Sequence, residues 1–182
     1  MLLTIPDPAL VLLVGPSGAG KSTFARRHFA PTEIVSSDAA RALLADDPAD
    51  QGASAEAFAL LALIVNGRLR RQLMTVLDAT NLQAASRRRF RRLAERHRVP
   101  TAAIAFAFEP HIYLAHNTLR ESRTVEDEVV ADQAARMPAA LAALQAEGYV
   151  ALYALRSPAE ADSVAIARVP RSSEPPARGQ RR

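Results

Sequence analysis

Five consecutive apolar residues, Leu10-Val11-Leu12-Leu13-Val14, run directly into Gly15-Pro16-Ser17-Gly18-Ala19-Gly20-Lys21-Ser22, and Ser22 to Phe29 reads as a helix. No other feature constrains the fold as strongly. An unbroken apolar run suits a strand buried on both faces of a parallel sheet, and the loop after it is a full match to the phosphate-binding pattern G-x-x-x-x-G-K-[ST]. Its glycines let the main chain approach a phosphate, several N–H groups converge there, and the helix N-terminus adds partial positive charge. Lys21 is the only lysine among 23 basic residues, the rest being arginine. A chain that otherwise writes arginine keeps lysine where a compact ammonium must sit beneath a close-fitting loop. Gly15, Pro16, Ser17, Gly18, Ala19, Gly20, Lys21, Ser22 and Thr23 are therefore the expected nucleotide-binding residues, with ATP or another NTP as ligand. Ser22 is the expected Mg²⁺ ligand, joined through water by Asp78.

Beyond this unit, strand-length apolar runs alternate with helical patterns. Strands are expected at 33–36, 74–78, 101–108 and 149–155, and helices at about 38–45, 55–72, 84–98, 110–119 and 126–147. Thr124 with Asp127 resembles a capping box, Pro138 is expected to kink the last helix, and Gly148 to stop it. Val164–Val169 is a candidate short strand. Repeated βα order implies an α/β fold, a parallel sheet flanked by helices on both faces. Residues 1–169 form the expected domain, and 170–182, rich in Pro, Ser and Arg, a disordered tail or the start of a linker.

At 182 residues and 49% apolar, the chain suits one well-buried core. Its longest apolar run, Ala57–Val65, is too short to span a membrane, and Met1–Leu10 lacks the basic start of a secretory signal. With no cysteine, disulfides and thiol chemistry are excluded, and a cytoplasmic location is expected. The net charge of +4 favours anionic partners.

Nucleotide chemistry divides at the later motifs. No second lysine exists to build the guanine-reading loop of GTPases. Asp78 is followed by Ala79-Thr80-Asn81, without the water-polarising glutamate that motor ATPases keep. A kinase needs instead a base aimed at an acceptor hydroxyl and cations that close over the phosphoryl group. Asp38 follows the second strand, at the sheet edge where ligands bind, and Arg41 stands one helical turn on. Two readings are open there: a base with its anion holder, or a helix cap at Asp38 or Ser37 with a surface arginine. Arg120 and Arg123 share the same spacing and read as a lid or as a solvated charged face.

Thr4-Ile5-Pro6, the loop from Gly15 to Phe24, Pro31-Thr32-Glu33, Ser36-Ser37-Asp38 with Arg41, Asp78-Ala79-Thr80-Asn81, Arg120-x-x-Arg123 and Glu147-Gly148 together resemble the 5′-hydroxyl polynucleotide kinase module of bacterial RNA-repair proteins. The resemblance runs from Met1 to about Pro170. It implies an adenylate-kinase-like P-loop kinase fold that moves the γ-phosphate of an NTP to the 5′-OH end of RNA or DNA. It also implies that Lys21 and Ser22 hold phosphate and Mg²⁺, that Asp38 is the general base and that Arg41 engages the acceptor. Arg120 and Arg123 would form a lid, with Lys21, Asp38 and Arg123 catalytic. Such proteins usually continue into phosphatase and ligase domains, which this chain does not supply. No lysine remains to carry a nucleotidyl group, and His28, His97, His111 and His116 lack two-metal spacing. Those domains would belong to a longer parent chain or a partner; a free-standing kinase and a homodimer are equally compatible.

Three further expectations complete the reading. The run Arg87-Arg88-Arg89-Phe90-Arg91-Arg92 is a solvated face around a buried stripe of Phe90, Leu93, Ala94 and His97, with phosphate attraction secondary. With 5% aromatics and no Trp, no base-stacking platform is expected, although His116 could stack on a base. The competing classes are a kinase of a nucleoside, sugar or antibiotic, and a non-enzymatic nucleotide sensor.

Overall fold

A computed structural model describes residues 1–118 and 125–170. In chain order the elements are β1 (Leu2–Asp7), β2 (Leu10–Val14), α1 (Lys21–His28), β3 (Ile34–Ser36) and α2 (Ser37–Ala45). There follow α3 (Ser54–Arg70), β4 (Thr75–Asp78), α4 (Ala84–Arg96), β5 (Thr101–Phe106) and α5 (Pro110–Thr118). The last are α6 (Asp127–Ala146), β6 (Ala151–Leu155), α7 (Pro158–Asp162) and β7 (Ala165–Pro170).

The apolar run Leu10–Val14 becomes the middle strand of a five-stranded sheet, ordered β3-β4-β2-β5-β6 and parallel throughout. Because side chains alternate along a strand, β2 feeds two cores. Val11 and Leu13 pack with Phe24, Phe106 and Tyr113, while Leu10, Leu12 and Val14 pack with Leu61, Val65 and Phe90. Both faces of β2 are covered by core, which explains why all five of its residues are buried. The expected α/β architecture, a parallel sheet flanked by helices, is thus the observed one.

Register matters most at the carboxyl edge. Leu13 and Ser36 both lie opposite Asp78, so the glycine loop, the start of α2 and the end of β4 emerge at one level. Ligands of open parallel sheets bind at this edge, where the chain reverses direction across the sheet.

Several details differ from the sequence reading. Leu2–Asp7, for which no strand was expected, is β1, and it pairs in parallel with β7 as a separate two-stranded sheet. Leu3 and Ile5 are wholly buried while Leu2 and Thr4 are exposed, the alternation of a strand with one face on the core. Arg168 of β7 grips Glu33 with two bonds of 2.7 and 2.6 Å. Those hydrogen bonds hold the Glu33 carboxyl below its usual range. The short helix α7 was also unforeseen; Ser157 caps it by accepting from the Glu160 N–H at 3.2 Å, with Pro158 in its first turn. Helix α6 runs from Asp127 to Ala146 through Pro138, and Thr124 of the expected capping box lies outside the described residues. Among the described residues no helix is long and apolar enough to cross a membrane.

The reading of 87–92 as solvated needs correction at Arg87, which is wholly buried. Positions 87, 90 and 94 are the buried line of α4, so Arg87 replaces an apolar residue on the helix's inner stripe. Its Nη1 donates to the carbonyls of Asn81 at 2.9 Å and Leu82 at 2.8 Å. Its Nε and Nη2 meet Glu147 at the end of α6. Burial works to raise the Glu147 carboxyl, yet the hydrogen bonds and charge of Arg87 outweigh it and hold the group below its usual range. Removing one partner of such a pair strands a buried charge. Glu147→Ala is expected to lower unfolding free energy by about 3–5 kcal/mol. A Glu147 whose folded pKa is depressed contributes stability above its unfolded value and loses it as pH falls through the folded one. The deficit of the variant should therefore shrink in urea melts taken from pH 7 toward strongly acid pH. A loss below about 1 kcal/mol at pH 7 would rank the pair with exposed ones.

Candidate functional site

The glycine loop owes its shape to what lies against it. Gly18 has φ +80°, and a Cβ there would stand 2.2 Å from the Tyr113 carbonyl oxygen, so the loop rests directly on the α5 backbone. His116, one turn further along α5, places Nδ1 3.2 Å from the Gly18 carbonyl. Tyr113 is itself fixed: its hydroxyl accepts from the Phe108 N–H at 2.7 Å and donates to the Phe106 carbonyl at 2.9 Å. Burial pushes that phenol up to about 12, so it stays a donor at neutral pH. On the other side, the Gly15 N–H donates to Thr80 at 2.9 Å. The Ser17 N–H donates to Gln133 Oε1 of α6 at 2.7 Å.

Lys21 opens α1 and is nearly buried. Its ammonium donates to the Pro16 carbonyl at 2.6 Å, which holds the charge inside the curve of the loop. Asp78, at the end of β4, is 5% exposed. Burial raises its carboxyl above the ordinary range, while the charge of Lys21 and a hydrogen bond from Ser22 pull it back. A buried carboxylate bonded to the Ser22 hydroxyl is an all-oxygen donor set that suits Mg²⁺. Among the described residues no group of three or more His, Cys, Asp or Glu side chains could hold a metal ion.

The acceptor candidates come from α2. Ser36 takes the N-cap position, its Oγ accepting from the Ala39 N–H at 3.4 Å. This removes the alternative in which Ser37 or Asp38 is the cap. Asp38 is ion-paired with Arg41 and receives the Ser37 hydroxyl at 3.3 Å. Arg41 is a buried cation, not a surface one, and its Nε donates to the Pro48 carbonyl at 2.8 Å.

All these groups meet. A cavity of about 470 Å³ is lined by Ser17, Lys21, Ser22, Asp38, Arg41 and Asp78, together with Phe58 of α3 and Arg89 of α4. Ala19, Gly20 and Thr23 line a second, smaller cavity of about 110 Å³ on the α7 side of the loop. Gly15 is buried under the loop against Phe106, and Pro16 contributes its carbonyl to Lys21. Arg120 and Arg123 lie outside the described residues.

The sequence reading gave three contributors no role in the site. Gln133 is a polar residue beside the apolar line Val130, Ala134, Met137 of α6, a visible interruption of the inner stripe. Asn81 has φ +49° and is 2% exposed; its amide donates to the Leu13 carbonyl at 2.8 Å, tying β4's exit to β2. Arg87 in turn holds the Asn81 carbonyl.

The model of the family described as AAA domain matches residues 10–144. The chain belongs to that family. Its matched segment runs from β2 into α6 and so contains the loop, Asp38, Arg41 and Asp78. No curated protein sequence matches the chain. Among solved structures it is similar to the Pnkp1/Rnl/Hen1 RNA repair complex, at 19% identity and TM-score 0.64, covering 75% of this chain and 46% of that one. It is also similar to Kti12 from Chaetomium thermophilum in complex with ADP-AlF3, at 15% identity and TM-score 0.58, covering 84% and 93%. A gluconokinase from Sinorhizobium meliloti 1021 matches at 16% identity and TM-score 0.53, covering 86% and 91%. These AAA-domain and kinase likenesses agree on a P-loop α/β fold.

Two glycines of the loop separate strain from contact. Gly20 also has φ +80° but nothing would meet its Cβ within 4 Å. Gly20→Ala is expected to cost about 1–2 kcal/mol of stability, the penalty of a left-handed L-residue. Gly18→Ala adds a backbone clash and should cost clearly more while also abolishing nucleotide binding. Thermal melts and nucleotide titration of both variants check this; equal losses would contradict the close approach of α5.

Proposed function

We propose that the chain is a phosphotransferase that moves the γ-phosphate of ATP or another NTP to the 5′-hydroxyl end of RNA or DNA. The observation that carries the reading is the Asp38–Arg41 pair, which lines the same cavity as Lys21, Ser22 and Asp78. A nucleotide-sensing module has no use for a carboxylate aimed into the space beside its phosphate loop. The likeness to an RNA repair complex supports the polynucleotide acceptor.

In the proposed reaction the 5′-hydroxyl oxygen attacks the γ-phosphorus. The bond from that phosphorus to the β,γ-bridging oxygen breaks, and the hydroxyl proton passes to Asp38. Arg41 and Ser37 hold the Asp38 carboxylate in one orientation, so its reach toward the acceptor is set before binding. Lys21 and the loop N–H groups hold the β- and γ-phosphates. Ser22 and, through water, Asp78 are the residues that would hold Mg²⁺, which would neutralise negative charge on the phosphates. Arg120 and Arg123 take the role of lid cations, on the sequence resemblance.

Arg41 puts a cation beside the reacting hydroxyl, where a terminal nucleotide carries its 3′-phosphate. A charge-assisted bond there is worth about 1.5–3 kcal/mol, roughly ten- to a hundredfold in acceptor efficiency. A nucleoside 3′-monophosphate should therefore outperform the bare nucleoside by that factor, and Arg41→Ala should erase the difference. Asp38→Asn is expected to lower turnover by about two to four orders of magnitude while ATP still binds. Steady-state kinetics with both acceptors test the proposal. Equal use of the two acceptors by the unmodified enzyme would favour a small-molecule kinase, and an Asp38→Asn variant within a few fold of normal turnover would require another base.

A further inference from the structure

Three described cations line the large cavity, and they differ in how their charge is met. Lys21 donates to Pro16 and feels Asp78. Arg41 is paired with Asp38. Arg89 is exposed and makes no ion pair or hydrogen bond among the described residues.

The surroundings of Arg89 favour an anion. It lies one turn beyond Ser86 on α4, so the two side chains share a face, and both line the cavity. The Ser86 hydroxyl is buried and has no hydrogen-bond partner. The first turn of α4 contains no acidic residue and no side-chain cap, which leaves its N–H groups and the positive end of the helix dipole uncompensated. Helix α3 packs against both α2 and α4, so the Arg41 and Arg89 walls flank one floor.

Resting on the reading of the chain as a 5′-hydroxyl kinase, we propose that Arg89, Ser86 and the first turn of α4 form a second phosphate subsite. It takes the second phosphate from the 5′ end of the acceptor strand, one nucleotide beyond the phosphate met by Arg41. The hydroxyl of Ser86 and the guanidinium of Arg89 donate to its non-bridging oxygens. The preferred acceptor is accordingly a strand of at least two nucleotides.

The experiment compares kcat/KM for a nucleoside 3′-monophosphate, with one phosphate, and a dinucleotide bearing a 3′-phosphate, with two. The unmodified enzyme should favour the dinucleotide by about tenfold, expressed in KM. Arg89→Ala should bring that ratio close to one, and Ser86→Ala should lower it in part. Arg88→Ala, which removes an exposed charge outside the cavity, should keep the ratio. A ratio near one in the unmodified enzyme overturns the subsite while leaving the 5′-hydroxyl kinase reading intact. An equal fall in Arg88→Ala and Arg89→Ala overturns it in favour of diffuse surface attraction. Failure to label either acceptor overturns the kinase reading, and the subsite with it, and is seen as absent product instead of a changed ratio.

Discussion

Strand β4 pairs with β2 on one side and β3 on the other, in a register that sets Leu13 and Ser36 both opposite Asp78. Three chain exits thereby open at one level: the glycine loop after β2, the start of α2 after β3, and the turn at 79–83 after β4. A slip of one residue in the β2–β4 pairing would turn a strand's side chains to the opposite face and carry Asp78 away from Ser22. Asn81 reinforces the register by donating to the Leu13 carbonyl, and Arg87 reinforces Asn81 from beneath. The phosphate loop and the start of α2 are thus coupled through the backbone of the sheet, with the Arg87–Glu147 pair as an anchor at the far end of α6.

Much of this was legible in the residues. The loop could be placed because its chemistry needs a fixed spacing, and β2 because its neighbours on both sides force an unbroken apolar run. Helices α3, α4 and α6 carry their own periodicity. Strand β1 did not, since its partner β7 lies at the opposite end of the chain and Pro6 and Pro8 obscure the pattern. Arg87 was hidden by its company. Within a run of arginines its charge suggests solvent, whereas its spacing from Phe90 and Ala94 assigns it to the core, and the spacing prevailed because Glu147 compensates the charge. Asp38 could be read from the residues as a cap or as a base, and the cap position is taken by Ser36.

The fold alone says little about the acceptor, because one P-loop framework serves many substrates. Structural likeness to an RNA repair complex and to a gluconokinase illustrates the range. The electrostatics of the cavity bear on the acceptor proposed above. Asp78 and Asp38 each have a cation at hand, so Lys21 and Arg41 are partly neutralised within the protein. Arg89 leaves the cavity with a surplus of positive charge on the wall away from the loop. In the proposed reaction that surplus is met by the phosphates of the acceptor strand.

The most direct test of the account is transfer of labelled γ-phosphate from ATP to a panel of 5′-hydroxyl oligonucleotides, nucleosides and sugars, followed by digestion of the products to mononucleotides. The account predicts label recovered as nucleoside 5′-monophosphate from the first residue of the oligonucleotide, with sugars and bare nucleosides far behind. Label carried mainly by a sugar or a free nucleoside, with oligonucleotide ends left unphosphorylated, would contradict it.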